Sequence, residues 1–485
     1  MRMLTHPNRI GRRSRPKSPA AKVRRVRRPK KPLPPPAGVD LSGQEGGGFL
    51  SLLLGRIGWT ELESLQQRKH AAGRPVQVLS RGQLLVAILF HYTVTWAGTL
   101  GEHLLWLLQI KMSESTLSQR RQALPFVVFE ELFQRVLRPL AQPSAAAFYG
   151  GLRLAALDGV SFSLPNTPQV NQSCQKARTR TQGRNPFAKL QCAVLLELVM
   201  HNPLAACLGW QGQSEWKLAQ GLLDRLPDKC LLLADRLYGC GAFVVAAWQR
   251  LQHRQGHFLV RVKQGLKIVR QIEPLPDGSR LIEIQALDAQ NHHRVAATLQ
   301  VREIQATLQR PGYRSVRLRL WTSLRDWQQY PAQDLVQLYA TRWEQELYFR
   351  ELKRELKFNN LLRSQTPETA AQEVVAMIIG SSLIAEERTK LKPGQALSHR
   401  ISFIKVWETL EPLWLTLLLG ADILTEAQKQ QMCERFYALA ATRCVAKKRS
   451  RSCPRVLRQP QQAWPKKRNQ TSSQGPLEIS ILATR

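Results

Sequence analysis

Acidic residues are scarce in this 485-residue chain: 35 Asp and Glu stand against 71 Lys and Arg, a formal net charge of +36. An acid-poor protein of this kind is expected to meet a polyanion, nucleic acid first and an anionic membrane surface second. Paired cysteine motifs are missing as well. The eight cysteines, at 174, 192, 207, 230, 240, 433, 444 and 453, form no C-x-x-C and have no histidines at zinc-finger spacing, which argues against a structural zinc site. No uninterrupted apolar run approaches the ~20 residues that span a bilayer, and the Arg- and Pro-rich N-terminus has no apolar signal segment. The expectation is a soluble protein of a reducing, cytoplasmic compartment, with no membrane partner. A phosphate-binding G-x-x-x-x-G-K-[ST] loop and a fixed-period repeat are also absent, so neither a P-loop nucleotide enzyme nor a solenoid is expected.

What is present divides the chain. Hydrophobic residues make up 43%, with 12 Trp, enough for sizeable cores in two to four folded units. Residues 1–40 hold 13 basic residues, one acid (Asp40) and eight prolines, which predicts a disordered basic tail. Between Arg443 and Arg468 lie ten more basic residues and no acid, broken by Pro454, Pro460 and Pro465; residues 443–485 read as a second basic tail. The body between the tails keeps +14, so it is basic in its own right.

From residue 41 to 149 the apolar spacing is helical, as in the buried Gly82–His91 segment and in Phe126–Leu140, and predicts an all-α domain. Within it Ser113 or Ser115 can cap a helix that exposes Arg120 and Arg121. That segment reads either as a DNA-recognition helix or as an ordinary capped surface helix. After Gly150 the pattern turns to strands. Leu152–Leu157 ends at Asp158-Gly159; Gln191–Met200 and Leu204–Gly209 follow, joined at Asn202-Pro203; then come a helix over Glu215–Leu226 and the strand Cys230–Ala234, which ends at Asp235. A helix over Ala242–His253 and a strand over His257–Val262 complete an α/β unit. Asp-Gly and Asp-Arg at strand ends are ordinary turn chemistry. Yet if the first and fourth strands are neighbours, the two acids lie side by side.

A third acid sits on a run without Gly or Pro, Tyr339 to Lys353, predicted as one continuous helix. At about 100° per residue Tyr339, Arg342, Glu346 and Lys353 fall within roughly 60° of one another, and Arg350 and Lys357 share that face. Helix-surface ion pairing is one reading. A wall that grips phosphate is the other.

Asp158-Gly159, Asp235-Arg-Leu-Tyr-Gly239 and the spacing Y-(2)-R-(3)-E-(6)-K at Tyr339, Arg342, Glu346 and Lys353 resemble the DDE transposases of insertion-sequence family four. The resemblance covers roughly residues 45–440. It implies an RNase H-like catalytic core over 150–265 and 322–442, interrupted by a β-rich insertion over 266–321. The 111 residues from Asp235 to Glu346 leave room for the insertion, and Arg294–Val301 and Ser315–Leu320 read as strands in it. With the preceding all-α DNA-binding domain and the basic tails, the expected class is α/β. The resemblance implies that Asp158, Asp235 and Glu346 hold two Mg²⁺ ions, for which Mn²⁺ can substitute, as hard oxygen ligands. Arg342 and Lys353, which cannot ligate a cation, would hold phosphates of the transposon end, with Tyr339 donating to the same strand. In the family a Trp of the insertion stacks on a flipped base, which Trp321 or Trp327 could do; an ordinary core tryptophan is the other reading of each. The implied function is cleavage of double-stranded DNA at terminal inverted repeats and joining to target DNA, by a homodimer on DNA associated with a bacterial nucleoid. The alternatives are a non-catalytic, repurposed DNA-binding protein and a structure-specific nuclease.

Overall fold

A computed structural model describes residues 48–65, 79–94, 98–174, 186–209, 213–288, 293–309, 315–355, 362–391 and 401–443, with short pieces at 176, 178–179, 183–184, 290–291, 451–452, 472–473 and 478–481. The N-terminal tail, most of the C-terminal one and Lys357 lie outside the described residues.

Six helices come first among these: α1 (Phe49–Leu54), α2 (Trp59–Ser64), α3 (Arg81–Thr93), α4 (Leu100–Leu108), α5 (Glu114–Gln122) and α6 (Phe126–Val136). Ser80 and Thr99 open α3 and α4 with reciprocal capping boxes, and Ser113 rather than Ser115 caps α5.

β1 (Phe148–Tyr149) then leads into β2 (Leu152–Ser163), α7 (Pro168–Ser173), the short paired strands β3 (Arg178–Thr179) and β4 (Gly183–Arg184), β5 (Lys189–Glu197) and β6 (Asn202–Gly209). Next are α8 (Glu215–Leu222), β7 (Cys230–Ala234), α9 (Gly241–Leu251) and β8 (His257–Arg261). Four further strands follow, β9 (Arg270–Pro274), β10 (Arg280–Leu287), β11 (Val295–Gln309) and β12 (Val316–Thr322).

The main sheet runs in the order β6-β5-β2-β7-β8-β12-β11-β10-β9. Only its centre, β2-β7-β8, is parallel. All five residues of β7 are buried, as a parallel strand covered on both faces requires. Leu154, Ala156, Val160 and Phe162 of β2 face one core. Ala155 and Leu157 face the other, shared with Leu218 and Leu222 of α8 and Phe243 of α9.

The chain returns over the first core as α10 (Ala332–Tyr339), a 3₁₀ turn (Ala340–Arg342), α11 (Trp343–Arg350), a π turn (Glu351–Glu355), α12 (Pro367–Thr389), α13 (Phe403–Leu419) and α14 (Glu426–Ala441). The helix α12 is long and apolar enough to cross a membrane, but 94% of its most apolar stretch is buried inside the protein. It approaches α3 closely at Gly380, where a Cβ would lie 2.3 Å from Thr93 Oγ1. The N-terminal helices therefore close no separate core. Phe49 stacks edge-on with both Phe90 and Trp414, at 5.2 and 5.4 Å, and α3 and α6 share the apolar interior of α12.

Several expectations are corrected. The strand read as ending at Asp158 continues to Ser163, because β5 pairs with it across Asp158 and Gly159. The β5–β6 connection turns at residues 198–201, where His201 has φ 50°, and Asn202-Pro203 already belongs to β6. Tyr339 to Lys353 is not one continuous α-helix, since 3₁₀ and π turns flank α11. The C-terminal region is not wholly outside the fold: β13 (Arg451–Ser452) pairs with β14 (Ser472–Ser473), and β15 (Glu478–Ile481) pairs with β11. The Glu-Ile-Ser-Ile alternation of β15 suits a sheet edge.

Candidate active site

The parallel register aligns Leu157 with Ala234, so the next residue on each strand, Asp158 and Asp235, lies beside the other. There β7 stops while β2 continues. The Asp158 side chain points to the face of Ala156 and Val160, under the returning helices. Its Oδ1 accepts from the Gly159 N–H at 2.8 Å. Burial, with the charges of Asp235 and Glu215 adding to it, raises its pKa to about 7 against the opposing effects of that N–H and of Arg342. Asp235 does serve turn chemistry, since its Oδ1 accepts from the Leu237 N–H at 2.6 Å. The turn and the neighbouring acid are not alternatives.

The returning helices bring the rest. Tyr339, buried, donates its hydroxyl to the Ala234 carbonyl at 3.2 Å and pins the end of α10 to the end of β7. Arg342 bridges two acids, Nη1 to Asp158 Oδ2 at 3.0 Å and Nη2 to Glu346 Oε1 at 2.8 Å. Its Nε is buried without a hydrogen-bond partner.

Lys353 is elsewhere. Its Nζ stands 5.7 Å from the centre of the Phe162 ring, four residues beyond Asp158 and so roughly 13 Å along β2. The π turn adds a residue to its turn and removes Lys353 from the 100° spacing that grouped it with Glu346. Burial, then the nearby Lys189, lower its pKa. Arg350 is exposed.

Arg120 and Arg121 do not form an exposed recognition face. Arg120 donates to the Leu79 carbonyl. Arg121 donates to Gln372, Ser364 and the Thr369 carbonyl and lies over the Tyr92 ring. Both are occupied in holding α5 to its neighbours. Trp321 is 1% exposed and donates Nε1 to Glu303, so it is a core tryptophan unable to stack on a base. Trp327 sits half-buried in a turn.

Three contributions escaped the sequence reading. Glu215, the first residue of α8, accepts from the buried Tyr238 hydroxyl at 2.8 Å and lies against Gly159. Burial raises its pKa, and Asp235 adds to the effect. His201, at the β5–β6 tip, is bonded through Nδ1 to Glu351 at 2.7 Å and through Nε2 to Glu344 at 2.9 Å, clamping both ends of α11. Finally, Trp343 is 55% exposed and Leu237 48% exposed on segments that carry site residues. Of these Leu237 and Tyr238 lie in the Asp235–Gly239 run and Trp343 in the Tyr339–Lys353 run, whereas Glu215 and His201 had no signal in the sequence.

Among the described residues no three His, Cys, Asp or Glu side chains close around a single ion. Arg342 stands between Asp158 and Glu346 as their counter-ion. The donor set is nonetheless all carboxylate oxygen, with Asp158, Asp235, Glu346 and Glu215 answered by one guanidinium, and a Cβ at residue 159 would fill the space that admits Glu215. By that chemistry the residues fit hard divalent cations.

Residues 149–382, which contain all three acids, match the Transposase DDE domain. That match covers a little under half of the chain. It is 26% identical over 285 residues to the transposase InsG for insertion sequence element IS4 of Escherichia coli (strain K12), an alignment covering 58% of this chain and 62% of InsG. It is 31% identical over 132 residues to the putative transposase InsZ of the same strain, covering 26% of this chain and 43% of InsZ. The matches thus span less than two thirds of either relative. A cryo-EM structure of a piggyBac transposase synaptic complex with hairpin DNA aligns over 80% of this chain and 82% of its own, at 7% identity and a TM-score of 0.38.

Proposed function

We propose that this protein is a DDE transposase, which binds the terminal inverted repeats of its element, cleaves the DNA there and joins the freed ends to target DNA. The observation that carries the reading is the pair Asp158 and Asp235 on adjacent parallel strands, under a helix that supplies Glu346. These three would hold two divalent cations, Mg²⁺ or Mn²⁺, which when bound activate the attacking hydroxyl and stabilise the leaving oxygen. The chain's own residues orient the reaction. Tyr339 fixes the glutamate helix against the end of β7. Arg342 neutralises Asp158 and Glu346 and offers a planar fork that can transfer to a phosphate of the bound end. Lys353, along β2, takes a phosphate farther down the same strand of DNA. An RNase H-like core around β2, β5, β6, β7 and β8, a β-rich insertion that continues the same sheet from β8 through β12, DNA binding by the helical region, pairing of two ends by a homodimer and a place on the bacterial nucleoid belong to the same proposal.

The test is a cleavage and strand-transfer assay on end-containing duplex with Mg²⁺. Asp158→Asn, Asp235→Asn and Glu346→Gln are each expected to lower cleavage about a thousandfold or more while end binding persists. Near-parent cutting by any variant removes that residue from the site. Cleavage without a strand-transfer product would make the protein a nuclease instead.

A further inference from the structure

Asp158 and Gly159 are consecutive in β2 and so point to opposite faces of the sheet, Asp158 toward the Glu346 helix and Gly159 toward α8 and α9. The space where a side chain at 159 would begin is filled. A Cβ built there lies 2.0 Å from Glu215 Cδ and 2.3 Å from Oε2, so any residue but glycine would expel this carboxylate. Glu215 is anchored at its other end. It opens α8, whose Ser214 cap accepts from the Lys217 N–H. Its Oε1 accepts from Tyr238, which is fully buried and lies three residues after Asp235 in the same turn. The Gly159 N–H that donates to Asp158 also faces Glu215, which sets the two acids on either side of one donor.

A purely structural carboxylate is poorly served by this arrangement. One tyrosine hydroxyl and one shared N–H do not offset the repulsion of a half-buried charge set beside two others, and the described site holds a single guanidinium, already divided between Asp158 and Glu346. A glutamine would fill the same shape at lower cost. We infer that Glu215 is a fourth carboxylate of the divalent-cation site, admitted through the gap left by Gly159 and oriented by Tyr238. The inference rests on the metal-dependent reading of Asp158, Asp235 and Glu346. It gives the Asp-Gly pair a purpose other than a turn: the aspartate serves the site from one face, and the glycine lets an acid serve it from the other.

The test is a calorimetric Mn²⁺ titration of the full-length, DNA-free protein as parent, Glu215→Gln, Gly159→Ala and Asp235→Asn, with thermal unfolding measured with and without Mn²⁺. Glu215→Gln keeps the shape and the tyrosine bond. It should leave the metal-free melting temperature unchanged or higher, weaken Mn²⁺ about tenfold and shrink the Mn²⁺-induced rise in melting temperature. Gly159→Ala should weaken Mn²⁺ similarly, and adding Glu215→Gln to it should cost little more, because both remove the same carboxylate. If either folded single variant, Glu215→Gln or Gly159→Ala, binds Mn²⁺ like the parent while Asp235→Asn does not, Glu215 is structural and the inference is overturned. If Asp235→Asn also binds normally, the metal reading itself fails.

Discussion

Two groups of acids lie in or against this sheet, and their surroundings are opposite. In the β10–β12 region Glu303 has no exposed side-chain surface, yet it receives Arg280 at 2.5 Å, Arg319 at 2.7 Å, Trp321 Nε1 at 3.0 Å and Gln305 at 2.8 Å. Burial pushes its pKa up, but the hydrogen bonds of Gln305, Trp321 and Arg280 and the charge of Arg319 outweigh it and the net shift is downward. Arg302 pairs with Asp277 close by. At the β2–β7 end the balance is reversed. Several carboxylates share one arginine, and Asp158 is raised to about 7. Acids of the first group are supplied with donors and hold the fold together. Those of the second are left short of positive charge, a deficit that bound cations would make good.

The largest effects should separate the two groups by kind. Glu303→Gln leaves Arg280 and Arg319 buried with a weakened partner and is expected to lose about 3–5 kcal/mol of stability. Asp158→Asn removes a charge that its surroundings disfavour, so the metal-free protein should melt no lower than the parent while cleavage collapses. Chemical denaturation of both variants checks this. A stable Glu303→Gln or a strongly destabilised Asp158→Asn would break the comparison.

Arg342 is next. From sequence it was expected to act on phosphate alone, but its two ion pairs place it in competition with any cation at Asp158 and Glu346. Arg342→Ala should therefore bind Mn²⁺ about fivefold more tightly without DNA, yet cleave about a hundredfold more slowly. Arg342→Lys should recover only part, for want of the planar fork. Unchanged metal affinity would show that the ion pairs yield to metal at no cost.

A smaller, pH-dependent effect belongs to His201. Burial lowers an imidazole's pKa, but here the charge of Glu351 and the hydrogen bonds with Glu344 and Glu351 dominate and raise it above the ordinary 6.5. A raised folded pKa means stability that is fully present below about pH 6.5 and lost as pH rises through the folded value. Denaturant unfolding should find His201→Gln about 1–2 kcal/mol less stable than the parent at pH 6, with the gap narrowing toward pH 9. A constant gap would mean packing rather than charge.

The smallest and least specific effect concerns the basic residues of 1–40. Deleting residues 1–40 should weaken binding to every duplex alike and flatten its salt dependence by about 0.9 in log-log slope per lost phosphate contact. Selective loss of end binding would give the tail a recognition role.

How much was readable in advance follows from how local each feature is. The apolar run Cys230–Ala234 and its terminal acid announce a buried parallel strand, and Tyr339, Arg342 and Glu346 lie within eight residues of chain. Their grouping depends on little beyond helical geometry and one strand pairing. Lys353 was misplaced because a π turn leaves no mark in composition. Arg121 was misplaced because the exposed face of a short helix cannot be told from one covered by Ser364, Thr369 and Gln372, some 250 residues later in the chain, and Arg120 because the Leu79 carbonyl it meets lies 41 residues earlier. Glu215 was invisible because its relevance depends on which face of β2 a glycine leaves open. His201 was invisible because its partners are 143 and 150 residues away.

The His201 clamp also bears on how such a chain can vary in evolution. Hairpin tips are ordinarily where residues are gained and lost most freely. This one must deliver an imidazole, in a left-handed backbone conformation, to both ends of α11 at once. Lengthening the tip by a single residue would carry His201 away from Glu344 and Glu351 and loosen the helix that carries Glu346. The β5–β6 connection should therefore keep its length among close relatives, while the other hairpin tips of the sheet are free to drift.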